Sequence, residues 1–143
     1  FGKSGYLKLR MVLPVLNSFI VIVLFAVSLQ FLEIITFWQL IILSLILSLN
    51  APIMLLFLGA FAGNKVEGMA ISKGFGLLLT AIIIDFLVPF PFNWISVYSP
   101  LVWIEKAFFS ADIFMFFIYT IIALTTHGAL YLILFKKFTK KHN

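Results

Sequence analysis

Four uninterrupted apolar runs, at about 12–32, 37–62, 69–88 and 113–135, constrain this chain more than any other feature it has. A helix needs about 20 apolar residues to cross the hydrocarbon core of a bilayer, and each run supplies that length. Lipid offers no partner to a backbone N–H or C=O, so each run must bond internally as a helix. A membrane β-barrel would show short alternating segments, and these runs do not alternate. Composition agrees: the chain is 64% hydrophobic and 10% charged, against roughly 25% charge in an ordinary soluble domain. Ten basic and five acidic residues cannot coat a water-facing surface. The expected fold is an all-α membrane protein, a polytopic bundle of four transmembrane helices forming one domain over 1–143.

The lysines orient the bundle. Lys3, Lys8 and Arg10 precede the first span, Lys65 and Lys73 flank the turn between the second and third, and Lys136, Lys137, Lys140 and Lys141 follow the fourth. With four spans these nine fall on one side, and Lys106 alone falls on the other. By the positive-inside rule that side is cytoplasmic. Both ends are therefore expected inside, with a cytoplasmic loop at 63–68 and a cytoplasmic tail at 136–143. Acidic residues lean the other way, with Glu33, Glu105 and Asp112 outside and Glu67 inside. The chain starts on Phe1 and its first ten residues are polar and basic, which suggests a piece of a longer polypeptide. Basic residues scattered between apolar runs form no aromatic-interleaved patch, so nucleic acid is not an expected partner; membrane lipid is.

The outer segment 89–112 is too long for a tight turn and too apolar for a solvated loop. Pro89, Pro91 and Pro100 forbid one continuous helix, while Trp94, Tyr98 and Trp103 suit the headgroup interface. Such a segment is expected to be broken and re-entrant, buried against protein wherever its backbone is irregular. A plain interfacial loop is the competing reading.

Polar residues inside the spans are few. Asp85 and His127 are ionisable, and an intramembrane ionisable residue is by default a functional candidate. Depth argues against their forming a pair. Asp85 lies about 6 Å from the outer end of its span and His127 about 13 Å from the inner end of its own, at 1.5 Å per residue. Asp85 is expected to be wet at the outer rim, and His127 to hydrogen-bond a neighbouring helix. Asn50 and Pro52 sit near mid-membrane, where Pro52 cannot donate to the carbonyl of Ser48 and a kink is expected. Gly59 and Gly63 form a GxxxG face suited to close helix packing. Thr125, Thr126 and His127 are either packing contacts or the lining of a path.

Several chemistries have no residues to carry them. The chain has no cysteine, which removes disulfides, thiol nucleophiles and thiolate metal sites. GxxxxGK[ST], HExxH and GxSxG are all absent. Two isolated histidines, His127 and His142, make no metal cluster. No catalytic residue, metal or cofactor is expected.

One pattern is more specific. The stretch "FAGNKVEGMAISKGFG", an apolar span, then "PFPFNWISVYSPLVWIEKAFF" resembles the later half of ABC-2 type permeases, the membrane subunits of many bacterial ABC exporters, including drug exporters. The resemblance rests on Asn64, Lys65, Glu67, Gly68, Ala70 and Lys73 in the loop. In the outer segment it rests on Pro89, Pro91, Trp94, Pro100, Trp103, Lys106 and Ala107. It implies that this chain holds the last four of six spans, with two missing upstream, in the inner membrane of a bacterium. It also implies that a hydrophobic or amphipathic substrate moves by alternating access. A separate ABC ATP-binding subunit would carry ATP and Mg, and a second permease copy would complete the path. Asn64, Lys65, Glu67, Gly68 and Lys73 would then form the ATPase-coupling loop, with Gly63, Gly68 and Gly74 easing a tight turn. The alternatives are a small integral membrane immunity or assembly protein, and an intramembrane enzyme using Asp85 and His127.

Overall fold

A computed structural model describes residues 3–74 and 76–142. Phe1 and Gly2 of the expected first loop, Phe75 of the third span and Asn143 of the tail lie outside the described residues. Among the described residues the helical stretches are α1 (Lys3–Ser28), α2 (Phe37–Ser48), α3 (Asn50–Phe61), α4 (Lys65–Gly74), α5 (Gly76–Leu87), α6 (Pro100–Phe108) and α7 (Ile113–His142). Short 3-10 turns occupy Phe31–Glu33 and Phe92–Tyr98, and no strand occurs among the described residues. Four stretches are long and apolar enough to cross a membrane: Met11–Ser28, Phe37–Phe61, Lys65–Leu87 and Ile113–Lys141. The protein is a multi-pass helical membrane bundle.

Local chemistry explains where these helices begin and break. Helix α2 starts at Thr36, whose backbone N–H and hydroxyl both donate to Gln39 Oε1 at 2.9 and 2.6 Å. This side-chain acceptor satisfies a donor that the first turn of a helix leaves without an intrahelical partner. The second span is interrupted at Leu49, between α2 and α3. Pro52 has no N–H for the carbonyl of Ser48 and its ring crowds that turn. Asn50 repairs part of the break by donating from Nδ2 to the carbonyl of Leu47 at 3.0 Å.

Helix α7 is the spine. Its first half packs on α6 and α2, and its second half packs on α3. The larger core lies in the first of these regions, where Leu40, Leu43, Ile104, Ala107, Phe116 and Ala123 are buried together. A smaller one joins Ile53 and Leu56 of α3 to Leu134 of α7. The turn between α3 and α4, the start of α1 and the end of α7 lie on one side of the bundle, the lysine-rich side. The loop between α1 and α2 and the segment 89–112 lie on the far side.

That far segment is two structures rather than one. Residues 89–99 form an irregular turn and a 3-10 stretch, and Pro100 then occupies the first turn of α6, where a missing N–H costs nothing. Nine residues make α6 about 13 Å long, roughly half the hydrocarbon core. Pro100, Leu101, Val102, Ile104 and Ala107 are buried, so α6 is inserted among α2, α5 and α7 rather than laid on the surface. Trp94 and Tyr98 are exposed. Trp103 is half-buried and donates from its indole to the carbonyl of Val97 at 3.3 Å.

An ion pair fastens this segment to α5. Lys106 Nζ lies 2.5 Å from Asp85 Oδ2, with side chains 27% and 7% exposed. The hydroxyl of Ser96, wholly buried, donates to Asp85 Oδ1 at 2.7 Å. Asp85 therefore has two partners from the outer segment instead of the wet rim expected for it. The expectation failed because the twenty-one residues to Lys106 fold back over α5. Breaking a buried pair from one side leaves a stranded charge, so Lys106→Met should lower the unfolding free energy by about 3 kcal/mol. The double change Asp85→Asn with Lys106→Met should recover part of that loss. Thermal unfolding of the purified protein in detergent checks both.

Candidate functional site

The charged island at 63–74 becomes helical almost at once. Helix α4 starts at Lys65, so of the expected loop 63–68 only Gly63 and Asn64 stay outside it. Asn64 is the cap: its Oδ1 accepts the backbone N–H of Glu67 at 2.9 Å. Glu67 reaches back in return, with Oε2 accepting the N–H of Gly63 at 2.7 Å and Oε1 accepting Asn64 Nδ2 at 3.2 Å. Asn, Asp, Ser and Thr are favoured at this position because their side chains replace the missing intrahelical acceptor. The Glu67 carboxylate also faces the positive end of the α4 dipole.

The glycines here work by closeness and not by unusual backbone angles. No described glycine has a positive φ, so Gly63 serves the turn by leaving room and not by backbone freedom. A Cβ on Gly63 would lie 2.9 Å from Glu67 Oε2, and one on Gly59 would lie 2.6 Å from the ring of Phe138. The GxxxG face thus admits an aromatic ring and a carboxylate.

Helix α7 closes the site from below. Lys141 Nζ donates to the carbonyl of Ala62 at 2.8 Å and to that of Gly59 at 3.3 Å. It caps the C-terminal carbonyls of α3, where a cation is favoured by the helix dipole. Lys137 Nζ stands 3.7 Å from the centre of the Phe61 ring, a cation–π contact. Sequence reasoning counted Lys137 and Lys141 only as charges on one side of the membrane. Their i, i+4 spacing around Phe138 was the available signal, since it puts three contacts on one helix face.

What remains free is chemically distinct from what is locked. Lys65 and Lys73 are exposed, and so are Val66 at 71% and Met69 at 53%. No residue of α4 is buried. The turn presents two cations and two apolar side chains on a rigid, capped base.

The chain's similarity to known proteins decides what this arrangement belongs to. A family model described as "Fluoroquinolones export permease protein Rv2686c-like" matches residues 1–135. The chain belongs to that ABC-2 type permease family. Neither the curated proteins nor the solved structures hold a match to it. It is an export permease, a transport subunit.

The other sequence candidates of this permease fall in separate places. His127 is fully buried, with Nδ1 2.7 Å from the carbonyl of Ala123 and Nε2 3.2 Å from Asn50 Nδ2. The carbonyl requires a proton on Nδ1, and the amide of Asn50 requires a lone pair on Nε2. His127 and Asn50 therefore tie α7 to the break beside Pro52, which is buried. The hydroxyls of Thr125 and Thr126 bond carbonyls of their own helix at 2.9 Å. Pro89 and Pro91 are exposed in the far turn. Asp85 and His127, weighed as an enzymatic pair, are each bound to different partners. No group of three or more metal-ligating side chains occurs among the described residues.

Glu105, beside Lys106 on α6, is a further titratable group in the far segment. Burial and the neighbouring Asp85 charge push its carboxyl above the usual 4.5, and Lys106 pulls the other way. Its Oε2 has no hydrogen-bond partner. A raised folded-state value means stability is complete below about 4.5 and declines as pH rises through the raised value. Glu105→Gln should therefore melt higher than the parent at pH 8 and equal to it at pH 4, in parallel melts of both proteins. At the cap, Asn64→Ala should cost about 1 kcal/mol of local stability, read as faster amide exchange at Gly63 and Glu67 with exchange in α6 unchanged.

Proposed function

We propose that this chain is the membrane subunit of an ABC exporter in a bacterial plasma membrane, with both ends and the α3–α4 turn in the cytoplasm. The observation that carries this reading is the capped turn. A helix start held by Asn64 and Glu67 and braced by Lys141 transmits a push without absorbing it, while Lys65, Val66, Met69 and Lys73 stay exposed to receive one. The partner is a separate ATP-binding subunit that carries ATP and Mg, and its closure moves α4 and α5 through this turn. A second permease copy completes the path, and the substrate crosses by alternating access.

Within this reading the roles divide. Lys65 and Lys73 contact the ATPase, whereas Asn64, Glu67 and Gly68 hold the turn that presents them. The family's description names fluoroquinolones, and an amphipathic heteroaromatic substrate of that kind suits a chain whose interior is apolar with scattered amides and hydroxyls. Lys65→Glu with Lys73→Glu should leave melting unchanged, since both side chains are exposed, yet abolish ATP-driven export. Efflux from vesicles holding the complete transporter measures this. Normal export by the double variant would remove both residues from coupling, and a permease that never co-purifies with an ATP-binding subunit would overturn the reading as a whole.

A further inference from the structure

A groove of about 720 Å³ opens between α1, the α2–α3 break and the α4–α5 arm. It exists because α5 is fastened at its far end, through Asp85 and through α6, and has no comparable packing against α1 among the described residues. Its walls are apolar, with Val21, Leu47, Met54 and Leu79 among them. Four polar side chains interrupt them: Asn17 and Ser18 of α1, Asn50, and Ser72 of α4. No charged residue lines it.

The Ser72 hydroxyl already donates to the carbonyl of Met69 at 2.8 Å, whereas Asn17 is out of place if lipid fills the groove. Asn17 is exposed and lies six residues past Met11, where the α1 span begins, hence about 9 Å into the membrane. Ser72 lies at about 10 Å on the opposite wall, counted from Lys65 at the same rise. An amide without a hydrogen-bond partner in hydrocarbon costs several kcal/mol, and polar residues inside spans face protein, water or a ligand. Asn50 adds an acceptor. Its Nδ2 already serves Leu47 and His127, which leaves Oδ1 to face a guest. The His127 bond fixes that orientation of the amide.

We infer that this groove is a substrate-binding site, entered from the lysine-rich side, for a drug-sized heteroaromatic molecule of zero net charge that carries carbonyl or hydroxyl groups. The volume falls within the 300–1,000 Å³ typical of small-molecule sites, which are mostly apolar with a few placed polar groups. Absence of a lining charge disfavours a guest with net charge, since no counter-ion offsets its desolvation. The Asn17 amide donates to an acceptor at one edge of a flat ring system, while Asn50 Oδ1 and the Ser72 oxygen, its proton held by Met69, accept from a hydroxyl of the guest. The inference rests on the export reading above, and its test separates the two.

The absence of cysteine makes the test direct, because a thiol reacts as thiolate, in contact with water. Ser18→Cys and Ser72→Cys are placed singly in the complete transporter in lipid nanodiscs, with Ile133→Cys on the exposed face of α7 as the lipid-facing control. A membrane-permeant maleimide should alkylate Cys at 18 and 72 and spare 133. Norfloxacin, a fluoroquinolone, at ten times its dissociation constant should slow alkylation at 18 and 72 by about tenfold. Asn17→Leu should weaken norfloxacin binding by about tenfold, the equivalent of one hydrogen bond. Unreactive thiols at both positions would show a groove closed by lipid or protein, and a disulfide between copies at position 18 would show a second copy there. Either result overturns the inference. Norfloxacin export without protection also overturns it while sparing the export reading, and failure of norfloxacin to be exported at all likewise overturns it, the export reading being tested separately by co-purification with an ATP-binding subunit.

Discussion

The pair between Asp85 and Lys106 decides the shape of the whole far half. Residues 89–99 have an irregular backbone, and of their side chains only Ser96 and Ser99 are buried. Helix α6 folds back between α2, α5 and α7, and the pair, with Ser96 on the other carboxylate oxygen, holds that return in place. Without a hydrophobic drive between helices in lipid, close packing and polar contacts must supply the association. The buried Pro100, Val102 and Ala107 give the packing, and Asp85 gives the register. Because this fastening acts at one end of α5, the other end is left standing off α1.

The lysine-rich side is organised by a different device with the same logic. Helix termini leave carbonyls and N–H groups without partners, and the turn between α3 and α4 has one terminus of each kind. Asn64 and Glu67 satisfy the start of α4, while Lys141 arrives from α7 to satisfy the end of α3. One helix end is thus closed by neighbours in sequence and the other by a residue about eighty positions away. Between the two fastened ends, the membrane-depth polar groups Asn50 and His127 tie the break in the second span to α7. The bundle is held at three levels, and the groove lies on the flank that none of them closes.

Much of this was legible in the residues. Four apolar runs, the lysine asymmetry and the prolines of the far segment each translate one physical rule into a position along the chain. Asn64 and Glu67, three apart at the head of a helix, match the capping pattern, though the reading from sequence put them in a loop. The partners of charged residues were less visible. Depth along its own span is the only measure the sequence offers for Asp85, and the i, i+4 spacing of Lys137 and Lys141 marks a shared face without naming the α3 carbonyls it meets.

The amino-acid sequence alone determined that the protein spans a membrane as helices, that four stretches are long and apolar enough to cross it, and that the second is broken beside Pro52. Hydropathy, proline chemistry and capping act over a few residues, and a few residues suffice to read them. Only the tertiary structure decided that Lys106 meets Asp85, that Phe138 sits on Gly59 and Lys141 on Ala62, and that Asn17 looks across an open groove toward Ser72. Those relations join residues tens of positions apart. In lipid they depend on how helices pack rather than on how hydrophobic they are, and packing is a property of surfaces that exist only once the helices are side by side.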